Sequence, residues 1–206
     1  MKNRGNPYAK PDARTLEARA KGYPARSVFK LQEIDRRMRL LRSGQTVLDL
    51  GAAPGSWSLY ASERVGPEGH VCAIDIKPMQ QVFGDNVQVL EGDALSLESQ
   101  VLAQHGPYDV VLSDMAPNTS GSKLADQARS TELFLRALEV AVAHGKPASH
   151  FVAKIFMSGD YKAAEMQVRK AYETVRTLRP EGTRQQSTEV FVVGMGKCNP
   201  PDRVSA

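Results

Sequence analysis

The chain has 206 residues, of which 41% are hydrophobic and 24% are charged, a composition typical of one globular domain and unlike that of a disordered chain. No apolar run approaches the roughly 20 residues of a membrane span, and two cysteines are too few for a disulfide framework or a four-cysteine zinc site. Because the N-terminus also lacks the apolar core of a secretory signal, we expect a protein of the reducing cytoplasm.

The net charge of +4 is distributed unevenly along the chain. Residues 1–42 contain 12 Lys and Arg against 4 Asp and Glu, a net charge of +8, which leaves −4 for the remaining residues. A basic segment attached to a mildly acidic body favours a polyanionic partner such as nucleic acid. The alternative is a solvated arm that only aids solubility.

Two hydrophobic periods alternate along most of the chain. Residues 1–11 are polar, and we expect them to be disordered until a partner binds. A helix is predicted from Ser27, because apolar residues then recur at helical spacing: Val28, Leu31, Ile34, Met38 and Leu41. Further on, the predicted strands are Thr46–Leu50, His70–Asp75, Val87–Leu90, Asp109–Ser113, His150–Ile155, Thr174–Leu178 and Val190–Val193, and the predicted helices are Ser56–Val65, Leu97–Gln104, Lys123–His144 and Tyr161–Tyr172.

This alternation predicts an α/β fold with a mainly parallel sheet and helices on both faces. The longest helix is expected to end with Gly145 at its C′ position and Pro147 just beyond. We predict one domain over residues 43–196, preceded by a basic arm and helix at 1–42 and followed by a tail at 197–206. Ligands of such sheets bind beyond the carboxyl ends of the strands, so functional residues are expected directly after each apolar run.

Polar sites follow the first three predicted strands and together favour an adenosine-containing ligand. The first strand opens into Gly51–Trp57 (GAAPGSW), whose glycines allow close backbone approach and whose following helix presents its positive end. This turn matches neither the dinucleotide motif nor the P-loop motif, which disfavours both classes of nucleotide site. Asp75, after the second run, can accept from two ribose hydroxyls or merely cap a turn. Asp93, after the third run, can accept from an adenine amino group.

The fourth run leads into Asp114, and the fifth run contains Lys154. On adjacent parallel strands these two side chains can meet at the same edge of the sheet. A lysine within so apolar a strand is costly to desolvate unless it is paired or used in catalysis. The alternative is a purely structural ion pair, although buried ion pairs are weak stabilisers and active sites favour such groups.

A series of segments adds a more specific signal: Gly22–Leu31, Gly51–Trp57, Ser113–Asn118, Val152–Phe156 and Arg184–Phe191. In this order and spacing they resemble the FtsJ/RrmJ family of S-adenosylmethionine-dependent RNA ribose 2′-O-methyltransferases, over about residues 12–196. Ser56 stands where many members carry glycine, a change beside the cofactor. The family is marked by a Lys-Asp-Lys-Glu tetrad, which falls here on Lys30, Asp114, Lys154 and Glu189.

The resemblance implies a Rossmann-like methyltransferase fold with a seven-stranded sheet, in which a ribose 2′-oxygen attacks the sulfonium methyl of S-adenosylmethionine and S-adenosylhomocysteine is left. Lys154 is then the principal catalytic residue: it stabilises charge on that oxygen or, if neutral, accepts its proton. Burial and the cation of Lys30 favour a neutral Lys154, whereas Asp114 favours a charged, oriented one, so both forms remain candidates. The implied cofactor contacts are Gly51, Gly55, Trp57, Asp75, Asp93 and Asp114.

Three of these residues have alternative roles. Lys30 lies roughly 70° from the centre of the apolar stripe of its helix, so it either reaches over a cleft or covers the edge of the core. Glu189 either holds a lysine or a ribose hydroxyl, or is an exposed carboxylate at a strand start. Trp57 is either a cofactor contact or a core residue whose indole N–H still serves a ligand.

RNA is expected to be held mainly through its phosphates by basic residues of the N-terminal segment. Tyr23 lies among them and either stacks on a base or packs in the core. A 2′-hydroxyl target excludes DNA, and we expect a monomer without a membrane partner. No metal is expected, because the four histidines lack ligand spacing. The basic residues are Arg14, Arg19, Lys21, Arg26, Arg36, Arg37 and Arg39.

Within the family, the chain most resembles the bacterial-type members that modify a uridine in the A-loop of large-subunit ribosomal RNA. The alternatives are relatives that modify tRNA riboses or mRNA caps, and a non-catalytic RNA-binding factor of ribosome assembly. The complete tetrad favours the enzyme. Residues 114–118 (DMAPN) offer no aromatic ring to stack a flipped base, which disfavours a base amino-methyltransferase.

Overall fold

The computed structural model describes residues 11–118, 120–181, 183 and 187–198. The disorder predicted for residues 1–11 and the tail predicted at 197–206 therefore fall almost entirely outside the described residues. No described helix has both the length and the apolarity that crossing a membrane requires. The elements are α1 Ala13–Ala20, α2 Val28–Met38, β1 Thr46–Leu50, α3 Ser56–Val65, β2 His70–Asp75, β3 Val87–Glu91, α4 Ser99–Gln104, β4 Tyr108–Ser113, α5 Lys123–His144, β5 Gly145–Phe156, α6 Tyr161–Ala171, β6 Tyr172–Leu178 and β7 Glu189–Lys197.

Within the described residues, seven strands form one sheet in the order β3-β2-β1-β4-β5-β7-β6. Strand β7 is antiparallel to β5 and to β6, whereas the other neighbouring strands pair in parallel. The predicted α/β fold with a mainly parallel sheet is thus confirmed. The strand order reverses between β1 and β4, because the chain proceeds from β1 to β2 on one side and later adds β4 on the other. Their following loops diverge there and open a crevice at the carboxyl ends of the strands.

Helices cover both faces of the sheet, and each face has its own apolar core. On one face, α5 and α6 contribute Phe134 and Val168, which pack with Phe151 of β5. On the other face, α2 and α3 contribute Leu31 and Trp57, which belong to the cluster of Phe191 in β7. Burial of one such large side chain contributes about 1.5–3 kcal/mol. The face under α2 and α3 is the one that carries the polar residues of the site described below.

A short helix that the apolar periodicity does not predict, α1, precedes α2. The Asp12 side chain begins it by accepting a hydrogen bond from the Thr15 backbone N–H at 2.8 Å. Ala18 is buried with Tyr23 and Val28 in a small cluster that packs against α3. Helix α1 buries little apolar surface, so its sequence lacks the apolar spacing that predicts a helix. The capping residue Asp12 is the remaining signal for it in the sequence.

Helix α2 ends at Met38, one turn before the predicted apolar spacing ends. Arg39 adopts a left-handed conformation with φ of 55°, so the helix stops there. The backbone N–H groups of Leu40 and Leu41 then donate to Asp35 Oδ1 at 3.0 and 2.9 Å. This turn buries both leucines without a helix, so the spacing predicted the buried positions correctly and the helix end wrongly.

The predicted role of Gly145 is corrected. Helix α5 ends at His144 as predicted, but Gly145 is extended and begins β5 instead of forming a left-handed C′ residue. A Cβ on Gly145 would lie 2.5 Å from the Ala141 carbonyl oxygen and 2.6 Å from Ser149 Oγ. Glycine is therefore needed here for space at the close turn from helix to strand, and not for a left-handed backbone conformation.

Gly194, in the middle of β7, leaves no room for a side chain. A Cβ there would lie 2.7 Å from Tyr172 Cγ and 3.0 Å from Val168 Cγ1. We expect Gly194→Ala to lower the free energy of unfolding by about 1–3 kcal/mol, measured by urea denaturation. The control is Gly159→Ala, whose new Cβ would meet no atom within 4 Å. Equal stabilities of the two variants would contradict this packing.

Candidate active site

A cleft of about 270 Å³ lies at the carboxyl ends of β1, β2 and β4, where the strand order reverses. The loops that follow β1, β2, β3 and β4 form its walls. Four of the residues predicted from the sequence line it together: Gly51, Asp75, Asp93 and Asp114.

The floor of the cleft depends on a close approach between two loops. Gly51 has a φ of 75°, and a Cβ on it would overlap Met115 Cγ and lie 3.1 Å from Met115 Cα. The loop after β1 therefore contacts the loop after β4 through backbone, which only glycine permits at this φ. The two loops form one continuous surface.

Asp75 and Asp93 are held in place by main-chain donors. Asp75 Oδ2 accepts from the Ala53 N–H at 2.9 Å, and its Oδ1 accepts from the Lys77 N–H at 2.8 Å. Asp93 Oδ1 accepts from the Leu95 N–H at 2.9 Å. A carboxylate oxygen accepts two hydrogen bonds, so both side chains are oriented and still able to bind a ligand's hydroxyl or amino groups.

Gly55 and Trp57, also predicted as cofactor contacts, do not line the cleft. Gly55 begins α3 with φ of 105°, and a Cβ on it would lie 2.7 Å from Phe83 Cζ. Trp57 is buried, and its indole N–H donates to the Ser27 carbonyl oxygen at 2.9 Å. The Trp57 side chain therefore has the core role, and its N–H is already used. What these residues can present to a ligand is their backbone at the start of α3.

Lys154 and Asp114 form a buried pair, as the strand ends predicted. Lys154 is 7% exposed, and its Nζ donates to Asp114 twice, to the backbone oxygen at 2.5 Å and to Oδ1 at 2.8 Å. Since Asp114 also lines the cleft, the ammonium group is anchored at the edge of that cleft.

Lys30 and Glu189 form a second pair, with 2.5 Å between Nζ and Oε1 and with side chains only 12% and 14% exposed. Lys30 is thus not a solvated residue at the edge of the core, and Glu189 is not an exposed carboxylate. The Lys30 ammonium also lies 5.6 Å from the centroid of the Phe191 ring. An aromatic face stabilises a cation at this distance.

Phe191, which the sequence reasoning missed, connects the two pairs. It is fully buried and is the register partner of Lys154 across β5 and β7. Glu189 lies two residues before Phe191 on β7, so both side chains point to the same face of the sheet. The position of Phe191, two residues after Glu189 within a continuous apolar run, is the signal that could have identified it.

The segment before α2 is attached to the start of α3 at two points. Ser56 Oγ accepts from the Ala25 N–H at 2.7 Å and donates to the Ala25 carbonyl oxygen at 3.1 Å. The bond from Trp57 to Ser27 is the second attachment. Together they position the first turn of α2, which carries Lys30. Ser56, at the position where the resembling family often has glycine, is therefore a structural contact between two parts of the site.

The predicted RNA-binding side chains are mostly exposed but spread along two helices. Arg14, Arg19 and Lys21 belong to α1 and its C-terminal end, and Arg36, Arg37 and Arg39 to the last turn and C-cap of α2. Arg36 lies about 9 Å along the helix axis from Lys30. Some of these cations have acidic partners, in the pairs Arg26–Asp12, Lys21–Glu17 and Arg37–Glu33.

Tyr23 packs in the core and is not available to stack on a base. Its ring is 7% exposed, and its hydroxyl donates to Glu63 Oε2. Burial and the Glu63 carboxylate raise the pKa of Tyr23 to about 12. Of the two roles that the sequence left open, the structure assigns the packing role.

Asp49, in the middle of β1, is a further buried acid that the sequence reasoning missed. It is fully buried, and its Oδ2 accepts from Ser58 Oγ at 2.6 Å. Burial raises the pKa of Asp49 to about 7, and the charges of Asp114 and Asp75 add to this, while hydrogen bonding from Ser58 opposes it. An acidic residue inside the apolar run Val47–Leu50 is the signal that could have identified it.

No group of three or more His, Cys, Asp or Glu side chains within the described ranges could hold a metal ion. The expectation that no metal takes part stays a prediction.

Comparisons with known proteins place this chain in a family. The model of the FtsJ-like methyltransferase family matches residues 23–197. Ribosomal RNA large subunit methyltransferase E of Sorangium cellulosum (strain So ce56) is 62% identical over 190 residues, which cover 92% of this chain and 90% of that protein. The protein of the same name from Myxococcus xanthus (strain DK1622) is 42% identical over 200 residues, 95% of this chain and 93% of its own.

Solved structures agree on the fold. The crystal structure of a ribosomal RNA methyltransferase from Plasmodium falciparum superposes with a TM-score of 0.74 and 23% sequence identity, covering 85% of this chain and 98% of that one. At this identity the likeness concerns the fold alone. The family match over most of the chain, together with the sequence relatives, confirms the resemblance given by the motifs: the chain belongs to the FtsJ-like methyltransferase family.

Proposed function

We propose that this protein transfers the methyl group of S-adenosylmethionine to a ribose 2′-hydroxyl of RNA, and that its target is a uridine in the A-loop of large-subunit ribosomal RNA. The observation that supports it most is the pair Lys154–Asp114 at the edge of the cleft, together with the pair between Lys30 of α2 and Glu189 of the adjoining strand β7. The relatives named above act, by their names, on ribosomal RNA of the large subunit.

The residues of the cleft fit S-adenosylmethionine. Asp75 has the acceptor capacity for two ribose hydroxyls, and Asp93 has it for an adenine amino group. Trp57 contributes through its backbone, since the first N–H groups of α3 lack intrahelical acceptors and attract an anion such as the cofactor's carboxylate. The Gly55 N–H already donates to the Ala52 carbonyl oxygen at 2.7 Å, so Gly55 contributes by the close backbone approach that its lack of a side chain allows. When bound, the cofactor supplies an activated methyl group together with its leaving group.

Lys154 is the residue that acts on the nucleophile. Its two hydrogen bonds to Asp114 fix the side chain, and one position on Nζ is left for the ribose 2′-oxygen. A charged Lys154 stabilises the negative charge that develops there, and a neutral one accepts the proton at the same position. Asp114 orients Lys154, while Lys30 and Glu189 hold the ribose beside it.

The basic side chains of α1 and α2 hold the RNA through its phosphates, and they set its position without reading its sequence. DNA lacks the hydroxyl that is methylated. All four residues of the tetrad come from a single chain, which supports a monomer as the active form. A ribosomal substrate supports a cytoplasmic enzyme, and the alternative is an organelle that has its own ribosomes.

The direct test uses labelled S-adenosylmethionine with unmodified large ribosomal subunits, free ribosomal RNA and tRNA in separate reactions. The label is mapped by the resistance of the adjacent phosphodiester to alkali, which reports 2′-O-methylation. We expect one resistant position in large-subunit RNA. Labelling of tRNA alone would overturn the target, and no labelling by folded protein would favour the non-catalytic assembly factor.

Substitution of Lys154 separates catalysis from binding. We expect Lys154→Ala to lower kcat at least about 100-fold, because the 2′-oxygen loses its proton-handling partner, while the Kd of S-adenosylmethionine stays within a few-fold. The control is Lys146→Ala, a lysine at the other end of the same strand that pairs with Asp109 at 2.7 Å. Loss of folding in Lys154→Ala alone would reduce Lys154 to a structural partner of Asp114.

The contribution of α1 to RNA binding is tested by charge and not by truncation, because Ala18 and Tyr23 are core residues. We expect Arg14→Ala/Arg19→Ala to reduce the slope of log K against log salt by about 0.7–0.9 for each phosphate that the variant no longer neutralises. The control is Lys162→Ala/Lys170→Ala on α6, which removes the same charge from the opposite face of the sheet. Identical slopes for the two double variants would refute an RNA-binding role of α1.

A further inference from the structure

Three carboxyl groups lie on neighbouring strands beneath the cofactor cleft. Asp49 of β1 is the register partner of Ala73 in β2 and of Leu112 in β4. Asp75 and Asp114 each follow these partners by two residues, and side chains two residues apart share a face. Asp49, Asp75 and Asp114 therefore project to the face covered by α3, with Asp49 one step deeper than the other two.

The three groups differ in how their charge is balanced. Asp114 pairs with Lys154, and the oxygens of Asp75 accept from backbone N–H groups and remain at the cleft surface. Asp49 is fully buried and has no cationic partner within the described ranges, where its Oδ1 also lacks a donor. Asp93 and Lys77 also line the cleft, so this half of the site has four carboxyl groups, with Asp49, against the two cations Lys77 and Lys154.

The ionisation of Asp49 is finely balanced by its neighbours. Burial and the charges of Asp114 and Asp75 favour the protonated acid, and they raise its pKa to about 7. The Ser58 hydroxyl and backbone N–H, at the positive end of α3, favour the anion. Cys72 on β2 lies nearby but on the opposite face of the sheet, and burial raises the pKa of its thiol to about 11, so it stays neutral. A nearby cation is therefore sufficient to ionise Asp49 at neutral pH.

We propose that Asp49 is a proton-linked counter-charge of the cofactor cleft, partly neutral in the free protein, ionised when a cationic cofactor binds above it, and reprotonated from solvent once the methyl group has been transferred. This inference rests on the proposed function, since it takes S-adenosylmethionine as the cation. S-adenosylhomocysteine has the same ammonium and carboxylate groups and lacks only the sulfonium charge.

The consequence is a pH-dependent preference for cofactor over product. Binding of a ligand that favours the anion releases a proton, and by linkage its affinity rises with pH across the titration of Asp49. The affinity for S-adenosylhomocysteine, which lacks the sulfonium charge, does not rise with pH in the same way. Between about pH 6 and pH 8, the ratio of product Kd to cofactor Kd therefore increases, which favours exchange of spent product for fresh cofactor.

Calorimetric titration in two buffers of different ionisation enthalpy measures the protons released. With wild-type protein near pH 7 we expect S-adenosylmethionine to release roughly half a proton more than S-adenosylhomocysteine. Asp49→Asn should abolish this difference. Asp109→Asn is the matched control, because Asp109 pairs with Lys146 at the amino-terminal end of β4, away from the cleft. The difference in proton release should persist in this variant.

Ser58→Ala provides a second variant in case Asp49→Asn does not fold. It keeps Asp49 and removes its hydroxyl donor, so the pH at which the difference in released protons is largest should shift upward. Equal proton release by the two ligands in wild-type protein, or an unchanged difference in Asp49→Asn, would overturn the inference. Complete failure of S-adenosylmethionine to bind would overturn the proposed function first, and this inference with it.

The free protein offers a measurement that does not depend on any ligand. A carboxyl group whose pKa is raised by folding contributes stability below its unfolded pKa and loses that contribution as pH rises through its folded pKa. The Tm of Asp49→Asn relative to wild type should therefore increase from about pH 4 to about pH 7. A difference that is independent of pH would show that Asp49 is already ionised in the free protein and would contradict the proposal.

Discussion

The antiparallel register between β5 and β7 is the constraint on which the rest of the catalytic edge depends. It places Lys154 opposite Phe191 and, two residues further along, Phe156 opposite Glu189. A shift of β7 by one residue would turn Glu189 and Phe191 toward the α5 and α6 face, away from Lys30 and Lys154. Such a shift would separate the Glu189 carboxylate from the Lys30 ammonium and leave both charges unpaired where their side chains are mostly buried.

The charged groups at this end of the sheet are buried in oppositely charged pairs, so each can lie only where its partner is within reach. The cost of burying an ammonium or carboxylate is offset only by a close partner, and such pairs add little to stability. The pairs Lys154–Asp114 and Lys30–Glu189 therefore support the proposed reaction, because stability alone gives little reason to bury them. Phe191 lies between the two pairs, because it is the register partner of Lys154 in the sheet and its ring lies beneath the Lys30 ammonium. Asp49 differs because it has no such partner within the described ranges, which makes its charge responsive to a ligand.

Much of the site follows from strand ends, which the sequence reveals well. Asp75, Asp93, Asp114 and Lys154 were predictable, because apolar runs mark the strands and parallel strands end at one edge. The roles of Trp57 and Tyr23 were not, since which side of a local segment faces the core depends on contacts with distant residues such as Ser27 and Glu63. The end of α2 was missed because Asp35 caps a turn whose apolar spacing mimics a helix.

The attachment of the segment before α2 to the first turn of α3 has a consequence for how the enzyme is made. Lys30 is synthesised early but is positioned only after Ser56 and Trp57 have folded against the sheet. Its partner Glu189 belongs to the last strand of the described sheet to be translated, so the site joins distant parts of the chain. Such long-range closure folds slowly. The second pair is therefore completed only when β7 has joined the sheet, so a chain without β7 contains Lys154 and Asp114 but no partner strand to supply Glu189 to Lys30.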